Sequence, residues 1–289
     1  MRIGLATCFE KPGLTHGDQL LSMELVRRGH EVRPWIWNHP EKSGGKLDCL
    51  VLRSVWDYHL QHAAFLKWIG SVEESSTRLF NSARLVRWNL HKSYLLELAK
   101  EGHPVVPTQI ISKASPISEV RREMGEGSWS EMVLKPAISA TSFRTYKTHP
   151  NDPKLETIIA EIQTQSDLVV QPFLHSVAVD GEISLVFFRT DRTHFSHSVL
   201  KLPREGDFRV QAEFGGLEQT ISAPARLVAL GEALLAQLPF DWVYARVDLV
   251  DWKGQPKLSE LEMIEPDLFL QHHVGAPSLM ADAIENASA

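Results

Sequence analysis

Apolar residues run almost unbroken from 2 to 8 (RIGLATC), and the period then changes. From 18 to 28, Leu20, Leu21, Leu25 and Val26 recur at helical spacing, and Gly29 supplies a stop. Apolar runs at 31–37 and 49–52 read as further strands. Strand, helix, strand in this order predicts a βαβ opening and a parallel sheet. Helices are predicted over 65–72, 91–102 and 155–165, and short strands over 104–107 and 109–112. The runs at 131–136 and 167–171 read as strands, and 126–128 as a loop. Residues 182–189 and 193–201 form a strand pair joined at Asp191-Arg192. Leu227, Leu230, Leu234 and Leu235 line one face of a helix over 223–238, and the tail ends in a helix over 278–286.

The most informative stretch runs from 244 to 269, YARVDLVDWKGQPKLSELEMIEPDLF. Val243, Ala245, Val247 and Leu249 alternate with Tyr244, Arg246, Asp248 and Val250, the period of a half-buried strand. Residues 251–256 carry the Gly and Pro of a turn. In the second arm Leu258, Glu260 and Glu262 alternate with Ser259, Leu261 and Met263. Pairing Val250 with Leu258 sets Asp248 opposite Glu260 and Arg246 opposite Glu262. Opposed residues have Cβ atoms roughly 5 Å apart, so three carboxylates crowd one patch. Such a patch is either solvated, with one carboxyl pKa raised, or occupied by a hard cation. Oxygen ligands from a few carboxylates suit Mg²⁺ that also holds phosphates.

Length and composition narrow the classes. The 289 residues suit one large domain or two to three lobes, and 43% apolar residues suffice for a core. With 30 basic against 36 acidic residues, general nucleic-acid affinity is not expected. Cys8 and Cys49 are too few for a disulfide framework or a zinc site. The N-terminal MRIGLATCFEK has no long apolar segment, and no run approaches a membrane span. A soluble, cytoplasmic chain without membrane partners is expected. No G-x-G-x-x-G follows the first strand, and no P-loop, H-E-x-x-H, G-x-S-x-G or kinase signature occurs.

Two further features bear on chemistry. The cluster Arg53-Ser54-Val55-Trp56-Asp57-Tyr58 follows the third strand. Ligands of open α/β sheets bind beyond the carboxyl ends of strands, so this cluster is placed to meet a small molecule. Capping of a loop by Ser54 or Asp57 is the structural alternative. Lys92, Lys135, Lys201, Arg209 and Arg246 stand alone among apolar or structured surroundings. Singly they read as snorkelling surface residues. With a carboxylate patch they also form the parts list of phosphoryl transfer, which is mostly positioning and charge stabilisation.

In their order, these motifs resemble the ATP-grasp superfamily of carboxylate ligases. Asn81 with HKSYLLELAKEGHPVVPT, VLKP at 133–136, VVQPFL at 169–174, GEISLVFF, DFRVQ, and YARVDLV with ELEMIEP carry the resemblance, over about residues 1–275. LRSVWDYHL, VRWNLHKSYLLELA and ELEMIEPDLF are similar to the cycloserine-forming O-ureido-serine cyclo-ligases and their relatives. Three departures stand out. His91 replaces the usual Asp, Glu260-x-Glu262 replaces Glu-x-Asn, and the normally glycine-rich loop after Lys135 has no glycine across 137–145. Ser139, Thr141 and Ser142 are its available hydroxyls.

The resemblance implies an α/β fold with α+β lobes in ATP-grasp architecture. An N-terminal βαβ substrate-side domain (1–80) would precede a linker helix and small ATP lobe (81–174) and a C-terminal lobe with the metal hairpin (175–289). ATP would be held by Lys92 and Lys135, with Gln171, Phe173 and Leu174 at adenine and Glu182 at the ribose or a cation. Asp248, Glu260 and Glu262 would bind two Mg²⁺, and Arg246, Arg209 and Lys201 would stabilise the transferred phosphoryl group. Arg53, Ser54 and Asp57 would grip an amino-acid-like substrate, Arg53 by a bidentate carboxylate contact. The implied activity is carboxylate activation as an acylphosphate for attack by nitrogen, within one molecule or between two. A non-catalytic ATP-binding module is the alternative from another class. The long apolar helix at 223–238 would face the core or a second copy of the chain.

Overall fold

The computed structural model describes residues 1–39, 44–127 and 129–288, in which the chain builds three sheets. The first holds β1 (Arg2–Thr7), β2 (Glu31–Ile36), β3 (Cys49–Ser54) and β4 (Arg78–Phe80), parallel and ordered β2-β1-β3-β4. The predicted βαβ opening is present, with α1 (His16–Arg27) as its crossover. Thr15 caps α1 by accepting from the Asp18 N–H at 3.2 Å. β3 is buried along its whole length, as expected of a parallel strand covered on both faces. One cover is α2 (His62–Glu73), which packs through Phe65, Ile69 and Val72.

A helix that was not expected, α3 (Ala83–Asn89), comes next, and the helix expected over 91–102 follows as α4 (Tyr94–Lys100). The break between them has a cause. The Lys92 N–H donates to the Ala137 carbonyl at 2.9 Å, drawing the chain toward the second sheet. His91 shapes this turn, its Nδ1 accepting from the Ser93 N–H at 3.2 Å.

The second sheet is antiparallel and is introduced by β5 (Gln109–Ile111) and α5 (Ile117–Glu126), the latter not anticipated. β6 (Met132–Pro136), β7 (Tyr146–Thr148), α6 (Leu155–Gln163) and β8 (Leu168–Pro172) complete it, in the order β5-β8-β6-β7. Alternation sorts its faces: Met132 and Leu134 meet α6, whereas Val133 and Lys135 look the other way. The loop expected at 126–128 includes Ser128, which lies outside the described residues.

After a short α7 (His175–Asp180), the third sheet takes β9 (Glu182–Arg189), β10 (Thr193–Leu202) and β11 (Leu217–Ile221). Then come α8 (Ala225–Gln237), β12 (Tyr244–Trp252) and β13 (Gln255–Glu262), with sheet order β11-β10-β9-β12-β13. α8 covers one face through Leu227, Leu234 and Leu235, so this helix serves the core. At Gly231 the helix closes on the Phe187 ring, where an added Cβ would lie 2.7 Å from a ring carbon. Overpacking costs about 1–3 kcal/mol, and helix propensity returns up to about 1. Gly231→Ala is therefore expected to lower the urea midpoint through a net loss of about 1 kcal/mol. An unchanged midpoint would mean the ring yields freely.

The last helix, α9 (Ala276–Ser288), returns to the beginning. Met280, Ala281 and Ile284 share one apolar cluster with Ile3, Leu5, Leu21 and Leu25. Arg28 fastens the two ends, with Nη1 at 2.6 Å from Asp282 and 2.7 Å from Glu285. Among the described residues, no helix is long and apolar enough to cross a membrane.

Candidate active site

β12 and β13 pair antiparallel with Asp248 opposite Glu260 and Arg246 opposite Glu262, as the alternation predicted. The expected Val250–Leu258 pair does not form. Leu249 faces Leu258 and Val250 faces Lys257, because a β-bulge intervenes after Asp248. The extra residue is Ser259. It turns Leu258 back into the core with Leu261 and sends both Ser259 and Glu260 into a cleft. Ser259 Oγ donates to Glu182 at 2.9 Å, which ties the bulge to β9.

The cleft has a volume of about 470 Å³ and draws on the second and third sheets and on the segments that follow β1 and β3. Each ATP, metal and phosphoryl candidate lines it: Lys92, Lys135, Gln171, Phe173, Leu174, Glu182, Lys201, Arg209, Arg246, Asp248, Glu260 and Glu262. Its charges are paired across elements. Lys135 Nζ lies 2.7 Å and Lys92 Nζ 3.2 Å from Glu260 Oε1. Lys201 Nζ meets Glu182 at 2.5 Å and Asp248 at 3.3 Å. Arg246 bonds Asp248 through Nη2 at 2.9 Å and Nε at 3.0 Å, and its Nη2 also bonds Glu262. Ser184 completes the Asp248 shell with a 2.6 Å donation. Lys92, Lys135, Lys201 and Arg246 thus balance Glu182, Asp248, Glu260 and Glu262.

These pairings separate the carboxyl groups electrically. Burial alone would raise the Glu260 carboxyl, yet Lys135 and Lys92 hold it well below the usual range. Asp248 is likewise held low, its burial outweighed by Arg246 and Lys201. Burial wins at Glu262, which rises to about 7 despite Arg246, because Asp248 and Glu260 add their charge. This is the raised carboxyl expected of a crowded patch.

At the other end of the cleft, Gln171 Nε2 donates to Thr108 Oγ1 at 2.9 Å. The Phe173 N–H is committed to the Glu131 carbonyl at 3.0 Å, whereas the Leu174 N–H donates no hydrogen bond to a described residue. Leu174 therefore has a free N–H two residues beyond Pro172, which has none. Lys147 Nζ sits 3.8 Å over the Phe173 ring. Arg209 enters the cleft wall while bound to Asp207 at 2.7 Å and stacked 3.7 Å from the Phe214 ring. In the glycine-free loop, Thr141, Ser142 and Arg144 take φ values of 51°, 54° and 49°. Glycine enters that region most readily. The loop reaches it with side chains, and Ser139, Thr141 and Ser142 line the cleft.

The substrate trio requires a correction. Arg53 is buried beneath the cleft, with Nε at 2.7 Å from Asp18 and Nη2 at 3.0 Å from the Pro266 carbonyl. Ser54 is fully buried and donates to Thr7 at 2.9 Å. Asp57 accepts from Trp37 and Asn38, each at 2.6 Å. None of the three lines the cleft; their neighbours Trp56 and Tyr58 do. Sequence reasoning also passed over Lys11, Glu265 and Asp267, which line it as well.

Among the described residues, the one trio of potential ligand atoms within 4.8 Å of one another is Cys8, Glu10 and Asp57. Asp248, Glu260 and Glu262 are spread further: Glu260 is drawn toward Lys92 and Lys135, while Asp248 and Glu262 share Arg246. Their donor chemistry, carboxylate oxygen only, fits Mg²⁺.

A family model described as D-cycloserine synthetase DcsG, N-terminal domain, matches residues 3–81. The cycloserine biosynthesis protein DcsG of Streptomyces lavendulae is 31% identical over 246 residues, 81% of each chain. The crystal structure of D-cycloserine synthetase DcsG aligns with a TM-score of 0.86 at 26% identity, covering 100% of both chains. The ATP-grasp ligase PsnB, in complex with a minimal precursor, Mg and ADP, shares the fold with a TM-score of 0.62 at 17% identity. That match covers 99% of this chain and 98% of PsnB. Three sheets around a cleft of paired lysines and carboxylates place the chain in the ATP-grasp fold class, and its similarity to DcsG makes it an ATP-dependent ligase. Within that class the chain belongs to the D-cycloserine synthetase DcsG family.

Proposed function

We propose that the chain activates the carboxylate of an amino-acid derivative with ATP and closes a ring through a nitrogen of the same molecule, as O-ureido-D-serine would allow. The similarity to cycloserine synthetases supports the substrate class. The observation that carries the chemistry is the hairpin face of Arg246, Asp248, Glu260 and Glu262, met by Lys92 and Lys135 across the cleft.

Lys92 and Lys135 hold the nucleotide phosphates once released from Glu260. Gln171, Phe173 and the free Leu174 N–H receive adenine, and Glu182 receives the ribose. Bound Mg²⁺ offsets phosphate charge and polarises the phosphorus under attack. Asp248, Glu260 and Glu262 would hold it, and three carboxylates suit two cations, which would offset the nucleotide charge more fully than one. A carboxylate oxygen of the substrate attacks the γ-phosphorus, and the bond to the bridging oxygen of ADP breaks. Arg246, Lys201 and Arg209 stabilise charge on the group in flight. The nitrogen then attacks the acyl carbon and inorganic phosphate leaves. Attack from within one molecule gains the high effective concentration of a tethered nucleophile.

ADP release from Mg·ATP, measured with O-ureido-D-serine alone and with amino acids singly and in pairs, tests this reading. Turnover with the ureido compound alone is expected. Turnover only with a pair would instead make the chain an intermolecular amide ligase. ATP binding with silence across the whole panel would favour a non-catalytic module.

A further inference from the structure

Every carboxylate on the hairpin face has a cation, but Glu265 does not. It lines the cleft, and no described Lys, Arg or His forms an ion pair with it. Its backbone is unusually well held for a segment beyond a strand end. Trp56 Nε1 donates to the Glu265 carbonyl at 2.9 Å, and Arg53 Nη2 to the Pro266 carbonyl at 3.0 Å. Arg246 Nη1 donates to the Asp267 carbonyl at 3.0 Å. Three consecutive carbonyls are thus fixed by three side chains, one from β3, one from the turn after it and one from β12. Asp267 is used locally, its Oδ1 accepting from the Phe269 N–H at 2.8 Å. Glu265 is left presented to the cleft, with the Tyr58 hydroxyl as its hydrogen-bonding neighbour.

Position adds a second argument. Glu262, Lys92 and Arg246 all act electrostatically on Glu265, so it sits near the proposed phosphoryl end of the cleft, although neither cation pairs with it. A carboxylate activated there carries its α-substituent one carbon away. In an amino-acid derivative that substituent is a primary ammonium, the only cation such a substrate brings.

We infer that Glu265 is the receptor for the substrate's α-ammonium, with Arg53 and Trp56 as positioning residues that hold its segment. The choice of probe rests on the cyclo-ligase reading; the ammonium contact itself does not. A cation held at the cleft end of a fixed carboxylate orients the neighbouring carboxyl toward phosphorus, and it excludes acids that lack the amine.

The test compares O-ureido-D-serine with its analogue bearing hydrogen in place of the amine, in the wild type and in Glu265→Gln. The wild type should favour the amine-bearing compound in kcat/KM. Glu265→Gln should raise KM for that compound roughly ten- to hundredfold, as expected for a lost hydrogen bond to a charged group. KM for ATP and the parameters of the desamino compound should stay within about twofold, outcomes that a merely structural role would not give. Equal use of both compounds by the wild type overturns the assignment even if the variant does not fold. So does a variant that keeps wild-type preference. If the wild type ignores O-ureido-D-serine but turns over another amino acid, the cyclo-ligase reading fails. The comparison is then repeated with that amino acid and its deaminated counterpart. Silence with every amine-bearing compound overturns both.

Discussion

Glu260→Gln is expected to lower ADP release by about a thousandfold, several kcal/mol of lost metal-borne charge stabilisation. The residue has two tasks in the structure. It is a proposed metal ligand, and it is the shared partner of Lys92 and Lys135. The substitution therefore separates metal from nucleotide. Without a carboxylate at this position the two lysines are released, so ATP binding measured in EDTA should be unchanged or tighter while Mg²⁺-dependent turnover is lost. The fold should also weaken, since a buried ion pair is broken from one side. Its pH dependence has a definite sign. The Glu260 carboxyl is depressed, so its contribution is complete above the ordinary carboxylate range and is lost as pH falls below it. Glu260→Gln should thus cost most near neutrality and little in acid. Full activity in this variant would remove Glu260 from the metal site.

Asn81→Ala is expected to be the most destabilising single truncation near the cleft. Asn81 is fully buried and satisfies three backbone groups of the hairpin. Its Nδ2 donates to the Tyr244 carbonyl at 2.9 Å and the Met263 carbonyl at 2.7 Å, and its Oδ1 accepts from the Val243 N–H at 2.6 Å. One side chain therefore sets the start of β12 and the exit of β13. Alanine strands all three groups without water. At about 1 kcal/mol for each, the loss is about 3 kcal/mol, or roughly 6–12 °C in Tm. Calorimetry of the two proteins decides it, and an unchanged Tm would mean that water replaces the amide. Asn89 acts in parallel, donating to the Leu261 carbonyl at 2.8 Å and accepting from the Met263 N–H at 2.9 Å.

Much of this was readable in the chain. Alternation placed Asp248 against Glu260 and Arg246 against Glu262, and the lone cations did converge on one cleft. The bulge at Ser259 was not readable, because a strand with one extra residue has the same local composition as one without. α5 escaped because its buried contribution is carried by two residues, Val120 and Met124, among charged neighbours. α7 escaped because it buries nothing. The choice of Arg53 over Trp56 and Tyr58 failed for another reason. Which side of a strand end faces ligand depends on where the next unit packs. Arg53 was already claimed by Asp18, which is 35 residues away in sequence, and by Pro266, 213 residues away.

The return of α9 to α1 sets a clock on biosynthesis. The first sheet is complete in sequence by residue 80, yet the apolar cluster on one of its faces receives its last members, Met280, Ala281 and Ile284, from α9. At roughly 5–20 residues per second, a ribosome needs about 10–40 s to travel that far. For that interval the nascent N-terminal unit holds Leu21 and Leu25 without their final cover. A segment made early is therefore finished late, and a chain that stalls before α9 leaves Leu21 and Leu25 without that cover.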